Sequence, residues 1–228
     1  MCTVVVRWRP GHPVRVLALR DELVGRAFDD PGTWWPSAPV VVGGRDRQAG
    51  GTWCASSVVT GATALVLNRP QRRVAAAGAP SRGVLPLLAL GAGASWPSVV
   101  QREGMASFAL LLADARSLTL WEHDGTSLTT VDLEPGTHMV TSGGPEDRRS
   151  TRHLEAFAGT DPDDWRDLVT AGVPSADPAS LLVEHPVGDR VFRTVFAQQI
   201  VSRPGRLELT WSRTPGATAS WTARSWPS

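Results

Sequence analysis

The stretch MCTVVVRWRPGHPVRVLALRDE, residues 1–22, decides how the rest of the chain is read. Residues 3–8 are β-branched and apolar, too short a run for a helix, and residues 14–19 are a second such run. Between them, Arg9-Pro10-Gly11-His12-Pro13 has the proline and glycine of a turn. The two runs therefore form a hairpin. In an antiparallel pair the numbers of opposed residues have a nearly constant sum, here about 21 to 23 from the turn centre. Cys2 then lies opposite Leu19, Arg20 or Asp21, and the dense charge cluster Arg20-Asp21-Glu22 is delivered beside it.

That juxtaposition points to a specific chemistry. Trimming of Met1 leaves Cys2 with a free α-amino group. The amine has a reference pKa of about 7.7–8.0, against about 8.5 for the thiol. One residue then supplies both nucleophile and base. An arginine nearby lowers a thiol pKa, and an aspartate can hold and orient the α-ammonium. The bland alternative is a small residue after Met1 with a weakly stabilising surface ion pair at a strand end.

Most of the remaining chain reads as strands. Residues 52–59 and 62–67 join at Thr60-Gly61, and residues 106–113, 117–123 and 126–133 form a meander. Pro135-Gly136 turns into 138–141, and residues 191–202, 206–213 and 218–225 complete the pattern. The spacing predicts helices over 82–90, capped by Ser81 and kinked or shortened by Pro86, and over 146–157 and 161–171. Residues 179–183 add one short turn. Gly43-Gly44, Gly50-Gly51 and Gly143-Gly144 read as turns. Helices set between blocks of antiparallel hairpins give an α+β class. With no repeat or linker, residues 1–228 form a single domain.

Composition narrows the function. Hydrophobic residues make up 42% of the 228, enough for a core, and the 20% that are charged nearly cancel to +1. That balance gives no electrostatic reason to expect nucleic acid or an anionic membrane as partner. Arg69-Pro70-Gln71-Arg72-Arg73 reads as a solvated loop. No apolar run reaches the roughly 18 residues of a membrane span, and no secretory signal is visible. Cys2 and Cys54 make neither a disulfide framework nor a zinc site, which suits the cytosol. There is no GxGxxG, P-loop or HExxH, so no cofactor or metal is expected.

Met-Cys at the start, Arg20-Asp21-Glu22, Gly43-Gly44-Arg45-Asp46 before Gly50-Gly51-Thr52-Trp53, Asn68, Ser81-Arg82-Gly83 and Pro135-Gly136-Thr137 occur in a recognisable order. Over roughly residues 1–145 the chain resembles the transport and Golgi organisation protein 2 family, also called the Asn-Arg-Asp-Glu family. The resemblance implies a four-layer αββα fold of the N-terminal-nucleophile (Ntn) hydrolase superfamily, with two mainly antiparallel sheets. It implies Cys2 as nucleophile and base, Asp21 on the α-amine with Arg20 beside it in the motif, and Asn68 as a side-chain oxyanion donor. Ser142 and Gly143, His138 and Arg193 are further candidates for substrate or oxyanion contact. Two positions depart from the family pattern: Leu19 replaces the first asparagine of the motif, and Gly143 replaces the asparagine that usually follows the serine.

Cys54 reads as a buried small hydrophobe. Trp34-Trp35-Pro36 either covers the pocket as a lid or pins a loop to the core. The expected function is an N-terminal-cysteine amidohydrolase or acyltransferase. Its substrate would be a non-peptide amide or thioester of a small molecule with an apolar acyl or aromatic group. The resemblance implies an alternative from another class, a non-catalytic haem- or lipid-binding or trafficking protein on the same fold. Substrate identity, hydrolysis versus transfer and oligomeric state are not written in the residues.

Overall fold

The computed structural model describes residues 2–70, 76–100, 102–144 and 147–227. Met1 and its removal, Gln71 to Arg73 of the arginine cluster, and Glu146, the expected first residue of a helix, lie outside them. Two seven-stranded antiparallel sheets form the centre.

The first sheet interleaves both ends of the chain. The hairpin strands β1 (Cys2–Trp8) and β2 (Val14–Leu23) form where the two apolar β-branched runs place them. The second sheet takes its strands in chain order: β3 (Phe28–Gly32), β4 (Val41–Asp46), β5 (Cys54–Ser57), β6 (Thr63–Asn68), β7 (Phe108–Ala113), β8 (Leu118–His123) and β9 (Leu128–Asp132). The chain then returns to the first sheet through β10 (Gly136–Thr141), β11 (Glu184–Val187), β12 (Arg190–Arg203), β13 (Arg206–Ser212) and β14 (Thr222–Pro227). The first sheet has the order β10-β1-β2-β12-β13-β14, with β11 also paired to β12.

Alternation along each strand gives each sheet two apolar faces. Val4, Val6, Val16, Ala18, Leu65 and Leu111 meet between the sheets. Val5, Leu17 and Leu19 face outward from the first sheet, against Phe157 of α2 (Arg148–Gly159) and Trp165 and Val169 of α3 (Trp165–Thr170). On the other side, Ala64, Leu110 and Leu112 of the second sheet pack on Leu85 and Ala89 of α1 (Leu85–Ala92). A helical layer thus covers the outer face of each sheet in an α+β sandwich.

Three local expectations need correction. Gly43 and Gly44 lie inside β4, not in a turn. A Cβ on Gly43 would sit 2.6 Å from the Cys54 carbonyl oxygen, and one on Gly44 would sit 2.4 Å from the Trp53 ring. The glycines are there for close approach across the sheet. The helix expected over 82–90 is α-helical over Leu85–Ala92 instead: of the two outcomes expected of Pro86 the structure has the shortening and not the kink, with a 3-10 turn over Arg82–Val84 first and the proline in the first turn of α1, where a missing N–H costs nothing. Residues 179–183 form no helix, and Val183 instead makes a parallel bridge to Ser175.

Candidate active site

The register of the first hairpin places Cys2 opposite Arg20. Directly opposed side chains share a face, so the thiol and the guanidinium both point toward the second sheet. Asp21, the next residue, points the other way, to the helix side.

On the inner face a cleft of about 270 Å³ is lined by Cys2, Arg20, Arg26, Asp46, Asn68 and Arg82, among others. Arg20 is 4% exposed. Its guanidinium lies 4.6 Å over the Trp53 ring and 5.0 Å over Phe28, and these rings meet Phe196 edge-on. Such contacts fix a cation in place. The glycine of β4 is part of this arrangement, because Gly44 leaves the space that Trp53 fills. Gly51 likewise allows the Ser81-Arg82-Gly83 loop to close on the cleft. A Cβ at Gly51 would come within 2.4 Å of the Gly83 backbone, and Thr52 N–H donates to Gly83 O at 2.8 Å.

The carboxylates of the cleft are already engaged. Asp46 accepts from Arg26 Nε at 2.7 Å and Arg20 Nη2 at 3.2 Å, and from the backbone N–H groups of Gln48 and Ala49. Burial pushes the Asp46 carboxyl up, but the Arg26 hydrogen bond, the Ala49 N–H and the two guanidinium charges outweigh it, leaving it below the usual range. Glu22 lies 3.5 Å from Arg20 and 3.6 Å from Arg26.

Cys2 is half-buried. Burial raises its thiol pKa and the Asp21 charge adds to that, while a hydrogen bond from the Asp21 backbone and the Arg20 charge oppose the rise. Its nitrogen lies 2.8 Å from Ser142 Oγ, and Ser142 N–H donates to the Cys2 carbonyl at 3.1 Å. Ser142 therefore extends the β1–β10 ladder by one residue and holds the start of the chain.

The Asp21 carboxylate is closed off behind this surface. Oδ2 accepts from Arg149 Nη1 at 2.9 Å and Oδ1 from Thr194 Oγ1 at 2.7 Å, and the same Arg149 nitrogen reaches Thr3 Oγ1 at 2.7 Å. Desolvation raises the Asp21 pKa, partly offset by the Arg149 charge. Arg149 is missing from the sequence-based candidates, although a signal exists. Arg149, His153 and Phe157 are spaced by four residues on one face of α2, so a charge falls on the stripe that carries a core phenylalanine.

The other candidates separate. Asn68 ends β6 and lines the cleft, exposed. Gly143 is exposed, and a Cβ there would meet the Asp147 carboxylate at 2.7–2.8 Å. Asp147 caps α2 through the Arg149 N–H, so this cap occupies the space that an asparagine at 143 needs. His138 pairs with Val6, four residues along β1 from Cys2, which is about 13 Å at ~3.3 Å per residue. It lines a different cavity, and its Nε2 is 2.7 Å from Glu134 O. Arg193 is partly exposed and pairs with Glu184 at 3.5 Å, away from the cleft lining. Its neighbour Thr194 is the residue that reaches the site. Cys54 is buried and desolvation raises its thiol pKa far above the usual range. Trp34 and Trp35 donate to Asp30 O and Gly50 O, both at 2.9 Å, pinning their loop without lining the cleft.

The expectation of a pocket shaped for an apolar acyl or aromatic group does not match this lining. Among the described residues that line it, Trp53, Val66 and Ala49 offer apolar surface and the others are largely charged or polar.

Fold and site together define an α+β sandwich with a cysteine at the head of its first strand, facing a cleft walled by ion pairs. A family model described as Transport and Golgi organisation 2 matches residues 1–160, and the chain belongs to that family. The matched span includes Cys2, Arg20, Asp21, Asn68, Arg82, Ser142 and Arg149, and ends before Thr194. No curated protein matches the chain. Among the described residues, no helix is long and apolar enough to cross a membrane.

Proposed function

We propose that the chain is an N-terminal-cysteine amidohydrolase or acyltransferase with an Ntn-hydrolase-like fold, acting on a non-peptide amide or thioester. The observation that carries this reading is the placement of Cys2, half-buried at the head of β1 in the charged cleft, with its nitrogen 2.8 Å from Ser142 Oγ. A thiol raised by burial is not a resting thiolate and needs a base at the moment of attack. With Met1 removed, the α-amine of Cys2 is that base. The thiol sulphur forms a bond to the substrate carbonyl carbon as the thiol proton passes to the amine, and the carbonyl π electrons move to oxygen. Collapse expels the leaving amine or thiol, protonated from the same α-ammonium. Water or an acceptor amine then releases the acyl group. Asn68 serves as oxyanion donor. Ser142 orients the amine, and Asp21 supplies negative charge from behind the strand.

Intact-protein mass spectrometry tests this reading. A chain lacking Met1 that gains one acyl group from an activated ester, and gains none as Cys2→Ala, is the expected result. Retention of Met1, or unchanged turnover of an amide by Cys2→Ala, would remove the case.

A second reading, non-catalytic lipid binding, rests on the other cavity. It measures about 500 Å³ and is walled by Leu120, Leu133, Met139, Val140 and Leu154. Lipid that co-purifies and persists in Cys2→Ala would favour it.

A further inference from the structure

The ion pairs of the cleft do not use all of its positive charge. Among the described residues three guanidiniums line it, those of Arg20, Arg26 and Arg82. Two lining carboxylates, Glu22 and Asp46, are shared between Arg20 and Arg26. The third, Asp21, is paired with Arg149 on the far side of the strand. Arg82 has no carboxylate within 4 Å among the described residues, and its one hydrogen bond among them runs from Nη1 to Ser107 O at 2.8 Å. Arg20 uses Nη2 for Asp46 and Glu22, while its buried Nη1 has no partner among the described residues. A buried donor left unpaired is costly, and a ligand acceptor would relieve that cost.

We infer that the Cys2 cleft recognises a small substrate carrying one carboxylate, held between the free edge of Arg20 and the unpaired guanidinium of Arg82. This rests on reading Cys2 as the nucleophile, and it names the substrate class of that site. A planar monoanion matches the fork of a guanidinium. A more highly charged group would meet the carboxylates of Glu22 and Asp46 at the same wall. The cavity, about 270 Å³, is below the roughly 300–1,000 Å³ of sites that bury drug-sized ligands, so the substrate is compact.

Alkylation of Cys2 by iodoacetate and by iodoacetamide tests the idea, because the reagents differ in little but charge. In both, the thiolate forms an S–C bond, iodide leaves with its electron pair, and the thiol proton goes to the α-amine or solvent. Rates are read by intact mass on the full chain and on a short peptide with an N-terminal cysteine. The iodoacetate-to-iodoacetamide rate ratio should exceed that of the peptide by about tenfold, and should fall to within about twofold of it in Arg82→Gln. Arg82→Lys should retain part of the preference. A wild-type ratio equal to that of the peptide, with both reagents modifying Cys2, overturns the carboxylate site and leaves the nucleophile standing. If neither reagent modifies Cys2, the nucleophile reading fails, and calorimetric titration with butyrate and butyramide judges the carboxylate site alone. Preferential binding of butyrate, lost in Arg82→Gln, supports it, and equal binding overturns it. Inorganic phosphate binding more tightly than butyrate also overturns it, in favour of a phosphate site.

Discussion

Arg20 and Asp21 are consecutive residues of β2, one on each face of the same sheet, and their surroundings differ. The inner face is open and shared: Arg20 borders the cleft, divides itself between Asp46 and Glu22 and stacks on Trp53. The outer face is closed: the Asp21 side chain is fully buried, takes hydrogen bonds from Arg149 and Thr194, and ties α2 to β2 and β12. One strand thus carries a cleft wall backed by a rigid brace. A charge that borders a cleft can meet a ligand, and a charge sealed beneath a helix can only hold structure.

The largest effect should come from breaking the brace. In Arg149→Met the Asp21 carboxylate loses its cation inside the protein, at a cost of about 3–5 kcal/mol. Chemical denaturation should show this as a lower midpoint with an unchanged slope. Replacing both partners, as Asp21→Leu with Arg149→Met, should recover much of the loss, because two buried charges then need no solvation. A loss under 1 kcal/mol in the single variant would mean that the pair is hydrated and that the two faces are not different in kind.

The two faces also respond to pH with opposite sign. Asp46, on the inner face, has a folded pKa below its unfolded value of about 3.9. The stability it contributes is fully present above that value and is lost as pH falls through the folded pKa. Asp21 has a raised folded pKa, so its ionisation costs stability as pH climbs from the unfolded value through the folded one. Asp46→Asn should therefore cost about 1.5–3 kcal/mol at neutral pH, as expected for hydrogen bonds to a charged group. The gap to wild type should close between about pH 5 and pH 2. Urea denaturation at several pH values measures it. A gap that stays constant with pH would show that Asp46 acts by shape and not by charge.

Much of this frame was legible in the first 22 residues. Two short β-branched apolar runs and a turn bounded by prolines fix the hairpin, and the sum rule puts Cys2 opposite Arg20 within a residue either way. The resemblance to the family over the first part of the chain agrees with the match over residues 1–160. What was not legible depends on long-range contact. Gly43-Gly44 looks like a turn until Trp53 and Cys54 are known to approach it. β3 and β11 contain Pro31 and Pro186, which argue against strands in a sequence, yet each sits at an edge where a missing N–H is tolerated. Arg149 was hidden because its partner is 128 residues away, although the helical stripe it shares with Phe157 marked it. Arg82 stood in the motif from the start, but that it has no carboxylate partner among the described residues can only be seen once its neighbours are placed.

The smallest effect sharpens the comparison most. Residues 15, 17, 19 and 21 alternate onto the outer face of β2, so Arg15 sits on the same face as Asp21, about 20 Å along the strand at ~3.3 Å per residue. Arg15 also makes an ion pair with an aspartate, Asp163, beside the first turn of α3. The chemistry matches that of Arg149 and Asp21, but the side chains are 30% and 65% exposed instead of 1% and 0%. Water screens the outer pair and solvates either charge when the other is removed. Arg15→Ala should therefore cost only about 0.2–1 kcal/mol, and salt should erase most of it. Denaturation in low and high salt, run beside Arg149→Met, separates the two. Should Arg15→Ala cost as much as Arg149→Met, burial would not be what distinguishes them, and the brace behind Cys2 would have to be explained by something other than desolvated charge.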